Sequence, residues 1–378
     1  MNRFRRALIG LQNARFLRFP NLTRPMIGSR RFAETILEPG NDLSERFLAR
    51  ICDCFERSTT ESVAGSEDIW TGLTQSNQLF LFALRDRDLD SLRHQFRNLS
   101  HDHLLVGMAH TAHFLGRKPH YSRDYFSLRC RDAILALSEA LGVRGVMSNH
   151  QTPLHRYVEL INTDLTADVE AIETVLGYSI QCPNFGRPPV ASIGKYFINP
   201  DFVRHAYVPH RLRQLGLAGG DILEIGGGFG CLERFCSLVG CRSYTIIDLP
   251  YVNAIQMAFI GATLGEGAVC GFGESEAKIR ILPATRKMTA FDRSFDVAVN
   301  MDSLPEINLG EAQDYLRLIK SNAKRFLSVN QEARNVHKGT FKQHFVPELV
   351  ASIGGFSLLS RHPYWIQQGY VEELYGMT

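Results

Sequence analysis

Apolar residues recur along this chain in two rhythms that divide it into halves. From Asp42 to about Gly177 they fall at helical spacing, as in Leu43, Phe47, Leu48, Ile51 and Phe55, which build one stripe. Leu79–Leu84, Leu104–Phe114 and Tyr125–Leu141 repeat the pattern, and the last stops at Gly142, where a C-cap glycine fits. Thr166 is placed as the N-cap of a helix reaching Leu176, with Asp168 and Glu170 early in it, where the helix dipole favours acids. Between Gln181 and Pro200 the rhythm breaks. The string Cys182-Pro183-Asn184-Phe185-Gly186-Arg187-Pro188-Pro189 is punctuated too densely for a helix or a central strand and reads as a connector.

A helix over Phe202–Leu215 and a turn at Gly216–Gly220 lead into the second rhythm. From Asp221, short apolar runs alternate with helical patterns, which predicts a mostly parallel sheet covered on both faces. The expected strands are Asp221–Ile225, Ser243–Ile247, Ile279–Leu282, Phe295–Asn300 and Arg325–Val329. Helices are expected over Gly230–Leu238, Val252–Leu264, Glu311–Ala323 and Val346–Ile353. Phe356–Ser360 and Tyr370–Leu374 are joined by a short link, so the sheet should finish in an antiparallel pair, seven strands in all. The expected fold is therefore α/β, a Rossmann-like sheet behind an N-terminal all-helical domain. The expected organisation is a basic flexible tail over 1–41, a helical domain over 42–180, a connector over 181–201 and an α/β domain over 202–378.

Composition narrows this picture in three ways. The length of 378 residues suits two domains, and 42 basic against 39 acidic residues leave a formal charge of only +3, which speaks against nucleic-acid binding and for a small-molecule partner. A homo-oligomer is compatible with that reading. Eight cysteines occur without a C-x-x-C pair, which suits free thiols in a reducing, cytoplasmic setting. Met1 to Ala33 holds eight arginines and no acid, so a mitochondrial presequence is the alternative localisation to a plain basic tail. No apolar run approaches the roughly 18 residues of a membrane span.

The chemistry gathers after the first predicted strand. Gly226, Gly227, Gly228 and Gly230 allow a sharp strand-to-helix turn whose N–H groups face a ligand, at the sheet edge where such folds bind ligands. A nicotinamide fingerprint begun at Gly226 would need glycine at 231, where the chain has Cys231; it offers acid-x-G-x-G-x-G from Glu224 instead. Asp248 ends the next strand, placed to accept hydrogen bonds from ribose hydroxyls, although Leu249-Pro250 would also suit a helix start. His101, His103, His110, His113 and His120 do not space into a recognisable ligand set, so no metal site is expected.

These motifs resemble the class I S-adenosylmethionine-dependent methyltransferases over roughly residues 202–378. A narrower likeness is carried by Ile222-Leu223-Glu224-Ile225-Gly226-Gly227-Gly228-Phe229-Gly230, by Tyr244-Thr245-Ile246-Ile247-Asp248-Leu249-Pro250, and by Asn300 with Ser303 and Glu306. That combination is similar to the bacterial family assigned to sugar O-methylation, which also carries a long helical segment ahead of the catalytic domain. The resemblance implies that Glu224 and the glycine loop border the methionine part of S-adenosylmethionine, that Asp248 holds its ribose, and that Leu249 packs near its adenine. Ala284, in the third-strand end Leu282-Pro283-Ala284-Thr285, would flank the adenine edge, where this chain lacks the family's usual acid. Asn300 is counted with the cofactor set, although Asn and Ser also favour turns.

Transfer to a hydroxyl requires donor and acceptor to be aligned and a proton removed. Asp302 and Glu306 are candidate bases, as are His337 and His344. The expected acceptor is a sugar or glycosylated metabolite beneath a lid built from the helical half and Phe185–Tyr196. An N- or C-methyltransferase of a natural product or peptide, and a non-catalytic adaptor with the same fold, are the alternatives.

Overall fold

The structure, a computed structural model, describes residues 22–26, 28–40, 42–59, 77–100, 119–148, 150–290, 292–332 and 343–378. The described elements run β1 (Ala33–Ile36), α1 (Glu45–Thr59), α2 (Gln78–Asp86), α3 (Leu89–Arg97), α4 (Pro119–Ala140), α5 (Leu154–Ile161), α6 (Thr166–Leu176), β2 (Pro189–Ile193), β3 (Tyr196–Ile198) and α7 (Pro200–Gln214). The α/β half follows as β4 (Asp221–Ile225), α8 (Cys231–Val239), β5 (Ser243–Asp248), α9 (Pro250–Leu264), β6 (Val269–Cys270), β7 (Ile279–Pro283), β8 (Val297–Met301), α10 (Leu309–Asn322), β9 (Arg325–Gln331), α11 (Val346–Ile353), β10 (Phe356–Pro363) and β11 (Tyr370–Met377). The expected helix over Leu104–Phe114, most of the basic tail and the five histidines of 101–120 lie outside the described residues or their described side chains.

The large sheet has the order β10-β11-β9-β8-β4-β5-β7-β6, parallel throughout except for β11, which runs antiparallel between β9 and β10. The α/β class and the closing antiparallel pair are as expected. The strand count is corrected from seven to eight: β6 is two residues long, too short to show a period, and adds to the edge beyond β7. Each central strand is buried on both sides, so successive residues enter different cores. Ile222 joins the core under α7–α9, and Leu223 and Ile225 join the core under α10 and α11. Glu224 therefore points with Ile222, toward the first face.

The N-terminal half is not wholly helical. β1, β2 and β3 form a three-stranded antiparallel sheet with β2 in the middle. Proline at the first residue of β2 is tolerated there, and the run from Val190 to Ile193 supplies the strand that the flanking Pro/Gly punctuation concealed. The tail assignment is corrected from Leu22 onward. Leu22 is buried, the Thr23 N–H and hydroxyl donate to Asp132 at 2.6 and 2.8 Å, and Arg24 pairs with Glu139 at 3.0 Å, which straps the segment to α4. Thr166 begins α6 rather than capping it, because Asp164 accepts from its N–H at 2.9 Å and from its hydroxyl at 2.8 Å.

One core runs through both halves. Phe47, Leu48 and Ile51 of α1 belong to the same buried cluster as Ile255, Phe259 and Ile260 of α9. At Gly261 a Cβ would overlap the Phe47 ring, so the absence of a side chain lets α1 lie directly on α9. All eight cysteines are buried and free. Among the described residues, no helix is long and apolar enough to cross a membrane.

Candidate functional site

The site lies where strand order reverses, at the carboxyl ends of β4, β5 and β8. After Ile225 the chain turns through Gly226, Gly228 and Gly230 with φ of 70°, 54° and 89°, the left-handed region that glycine enters without penalty. The loop's four glycines serve different neighbours. A Cβ at Gly226 would overlap Ser303, and one at Gly227 would meet Ile246 at 2.8 Å and the Glu224 carboxyl at 2.9 Å. At Gly228 it would meet nothing within 4 Å, so this glycine faces open space.

Asp248 closes the other side of that space. Its carboxylate accepts from the Gly228 N–H at 2.9 Å, the Gln256 amide at 2.9 Å and the Leu249 N–H at 2.8 Å. Three donors on about four lone-pair positions leave room for a further hydroxyl. Burial raises its pKa to about 6 against the pull of these donors, so the carboxylate stays charged at neutral pH. Gln256 also donates to the Gly228 carbonyl at 3.0 Å, clamping loop to strand. Leu249 and Ala284 follow residues paired across the sheet, Asp248 and Pro283, and both are half-buried.

Glu224 sits beneath the loop. It is 2% exposed, its Oε2 accepts from the Tyr244 hydroxyl at 2.9 Å, and burial raises its pKa to about 8. It shapes the turn from below.

Asn300 is corrected from the cofactor set. It has no exposed surface; its amide donates to the Ile225 carbonyl at 2.9 Å and to Ser303, and its oxygen accepts from Asn330 at 2.9 Å. Ser303 also donates to the Ile225 carbonyl at 2.8 Å. The pair locks the end of β8 onto the start of the glycine loop.

Asp302 has φ of 69°, a strained conformation for a non-glycine residue, secured where its N–H reaches Val329 O and Asn330 Oδ1 at 3.2 and 3.0 Å. Its Oδ2 accepts from Arg204 at 2.6 Å, so a guanidinium already neutralises it. Glu306 differs: burial and then the neighbouring Asp302 charge raise its pKa to about 7, against a hydrogen bond from Gln343. A half-buried carboxylate poised there can take up a proton near neutral pH. His337 lies outside the described residues, and the His344 N–H donates to the Pro305 carbonyl at 2.9 Å beside Glu306.

Sequence reasoning missed Arg204, His205 and Gln256. Arg204 also donates to Gln367 at 3.2 Å and lies 5.7 Å from the Tyr370 ring centre. His205 is held by the Asp201 carbonyl at 2.6 Å, and burial followed by Arg204 repulsion lowers its pKa to about 4. The side-chain partners of Arg204, namely Asp302 and Gln367, are far along the chain, so no local motif announced it. Phe185, the first residue of the expected lid, is buried, with its ring 6.0 Å from Phe229 and 5.8 Å from Phe259. Among the described residues no group of three or more potential metal ligands converges.

No family model matches the chain, and none of the curated proteins matches it. Solved structures similar to it include magnesium protoporphyrin IX methyltransferase from Synechocystis PCC 6803 with S-adenosylhomocysteine bound, 14% identical over 47% of this chain and 85% of that one, with a TM-score of 0.35. The glycopeptide N-methyltransferase MtfA, complexed with S-adenosylhomocysteine, is 15% identical over 46% of this chain and 90% of its own, with a TM-score of 0.35. A protein of Pyrococcus horikoshii OT3 is 12% identical over 46% of this chain and 90% of its own, again with a TM-score of 0.35.

Proposed function

We infer that this protein is an S-adenosylmethionine-dependent methyltransferase acting on a hydroxyl of a sugar or glycosylated metabolite. The observation that carries the reading is the open space at Gly228, bounded by the Asp248 carboxylate, where two neighbouring parallel strands end. The donor set fits the cofactor: Asp248 retains acceptor capacity for a ribose hydroxyl, and Gly228 presents backbone without a side chain. When bound, S-adenosylmethionine supplies a methyl group on a sulfonium that is already a good leaving group. The chain's own task is to align the acceptor and receive its proton.

Glu306 is the residue suited to receive that proton. Its pKa is raised to about 7, whereas the Asp302 carboxylate is already engaged by Arg204. A proton-accepting carboxylate matters most for a hydroxyl, which does not lose its proton unaided at neutral pH, and this favours O-methylation. Calorimetric titration with S-adenosylhomocysteine tests the cofactor assignment, and the absence of heat from folded protein would sink it. Asp248→Ala should weaken that binding by about tenfold or more, the value of a lost hydrogen bond to a charged group, while circular dichroism stays unchanged. Equal affinity in the variant would remove Asp248 from the ribose site.

A further inference from the structure

A cavity of about 660 Å³ opens beside the β10–β11 hairpin. Its walls come from residues 23–25, the end of α4, α7 and the hairpin, so it exists only because the N-terminal strap lies against the α/β half. The volume is in the range of about 300–1,000 Å³ typical of small-molecule sites.

The arginines and glutamates in its lining form two neutralised pairs, beside polar Thr23, His362, Gln367 and Gln368. Arg24 meets Glu139 at 3.0 Å with side chains 9% and 5% exposed, and Arg211 meets Glu372 at 2.9 Å with side chains 16% and 2% exposed. Each buried charge already has its counter-ion, so an anionic or cationic ligand would have to break a pair whose remaining member would be left uncompensated. A polyol breaks none: its hydroxyls can accept from guanidinium N–H groups and donate to carboxylates at once. Aromatic rings share the rest of the wall with Pro25, Val146 and Met147. The Tyr207 and Tyr364 rings lie 5.7 Å apart at 55°, and Trp365 beside them is 42% exposed. Tyr207 and Tyr364 are buried, so Trp365 is the ring whose electron-rich face can meet the polarised C–H face of a pyranose.

The cavity is wired to the candidate catalytic end. Gln367 lines it and accepts from Arg204 at 3.2 Å, and the same guanidinium holds Asp302 at 2.6 Å; the Tyr364 hydroxyl donates to the Arg204 carbonyl. We propose that this cavity is a binding site for an uncharged saccharide, the glycan portion of the acceptor beyond the hydroxyl that is methylated. The second half of that statement rests on the methyltransferase reading; the saccharide site itself does not.

The test uses the full chain without cofactor. A fluorescently labelled protein is applied to an array of neutral, sialylated and sulfated glycans, and the best neutral binder is then titrated calorimetrically against wild type and each variant. Neutral glycans should bind in preference to acidic ones. Trp365→Ala should weaken binding by about tenfold, the value of one stacked ring, and Trp365→Phe should restore most of it. Both variants should bind S-adenosylhomocysteine as wild type does. A blank array, a preference for acidic glycans, or unchanged affinity in Trp365→Ala overturns the proposal. Glycan binding without S-adenosylhomocysteine binding would leave the cavity assigned and remove the methyltransferase reading; the reverse result would do the opposite.

Discussion

Gly226 and Gly228 lie two residues apart with φ of 70° and 54°, yet a side chain at each would meet different surroundings. Gly226→Ala drives a methyl group into Ser303, which is itself fixed on the Ile225 carbonyl, so the cost combines backbone strain and a clash, about 2–4 kcal/mol of stability. Gly228→Ala meets no atom and should lose only the ~1 kcal/mol of left-handed strain, while its methyl enters the space proposed for the cofactor. Chemical denaturation beside S-adenosylhomocysteine titration should therefore separate the two variants, one failing in stability and the other in affinity. Glu306 carries the second residue-scale prediction. As a base it works ionised, so kcat/KM for transfer to a hydroxyl should fall as pH drops through about 7. Glu306→Gln should lower the rate by roughly 10²–10⁴-fold and abolish that limb, and a limb surviving in the variant would assign the base elsewhere.

At the scale of elements, helices and parallel strands were legible because their periods repeat over many residues, as in β4 and α11, whose ends fall where the pattern places them. β2 and β3, a hairpin turning at Gly194-Lys195, were hidden by Pro/Gly punctuation, and the other partner of β2 is β1, some 150 residues earlier, which no local window contains. The junction between this small sheet and α7 rests on Asn199. Its side chain accepts from the Asp201 N–H at 2.9 Å as the N-cap and donates to the Pro189 carbonyl of β2 at 3.0 Å. Asn199→Ala should cost about 1–2 kcal/mol, read as a lowered denaturation midpoint, and Asn199→Asp should keep the cap while losing the link to β2. Because α7 carries Arg204, the same variant should also weaken the positioning of Asp302.

At the scale of the molecule, the continuous core implies that both halves unfold together, and its buried carboxyls set how stability responds to pH. Glu224 and Glu233 are each raised from 4.5 to about 8 by burial, so the folded chain keeps protons that the unfolded chain has already released. Their contribution is complete below about pH 4.5 and is lost as pH rises through about 8. His205, lowered from 6.5 to about 4, changes its contribution only below about pH 6.5 and so does not mask the fall between pH 7 and pH 9. The melting temperature should therefore fall between pH 7 and pH 9, and Glu224→Gln, which keeps the Tyr244 contact without a titrating proton, should remove about 1.4 kcal/mol of that fall. A slope unchanged in the variant would show that Glu224 titrates normally.

By itself the sequence determined the α/β class, the parallel strands and their closing antiparallel pair, and the loop from Glu224 to Gly230 with Asp248 opposite. Each is written in neighbouring residues, through period or through the backbone freedom of glycine. Only the tertiary structure decided which glycine faces open space, that Asn300 is a buried strut, that Arg204 holds Asp302, and that residues 23–25 wall a cavity against the β10–β11 hairpin. Those outcomes join residues tens to hundreds of positions apart, and burial, which sets both their charge states and their reach, exists only once the whole chain has packed.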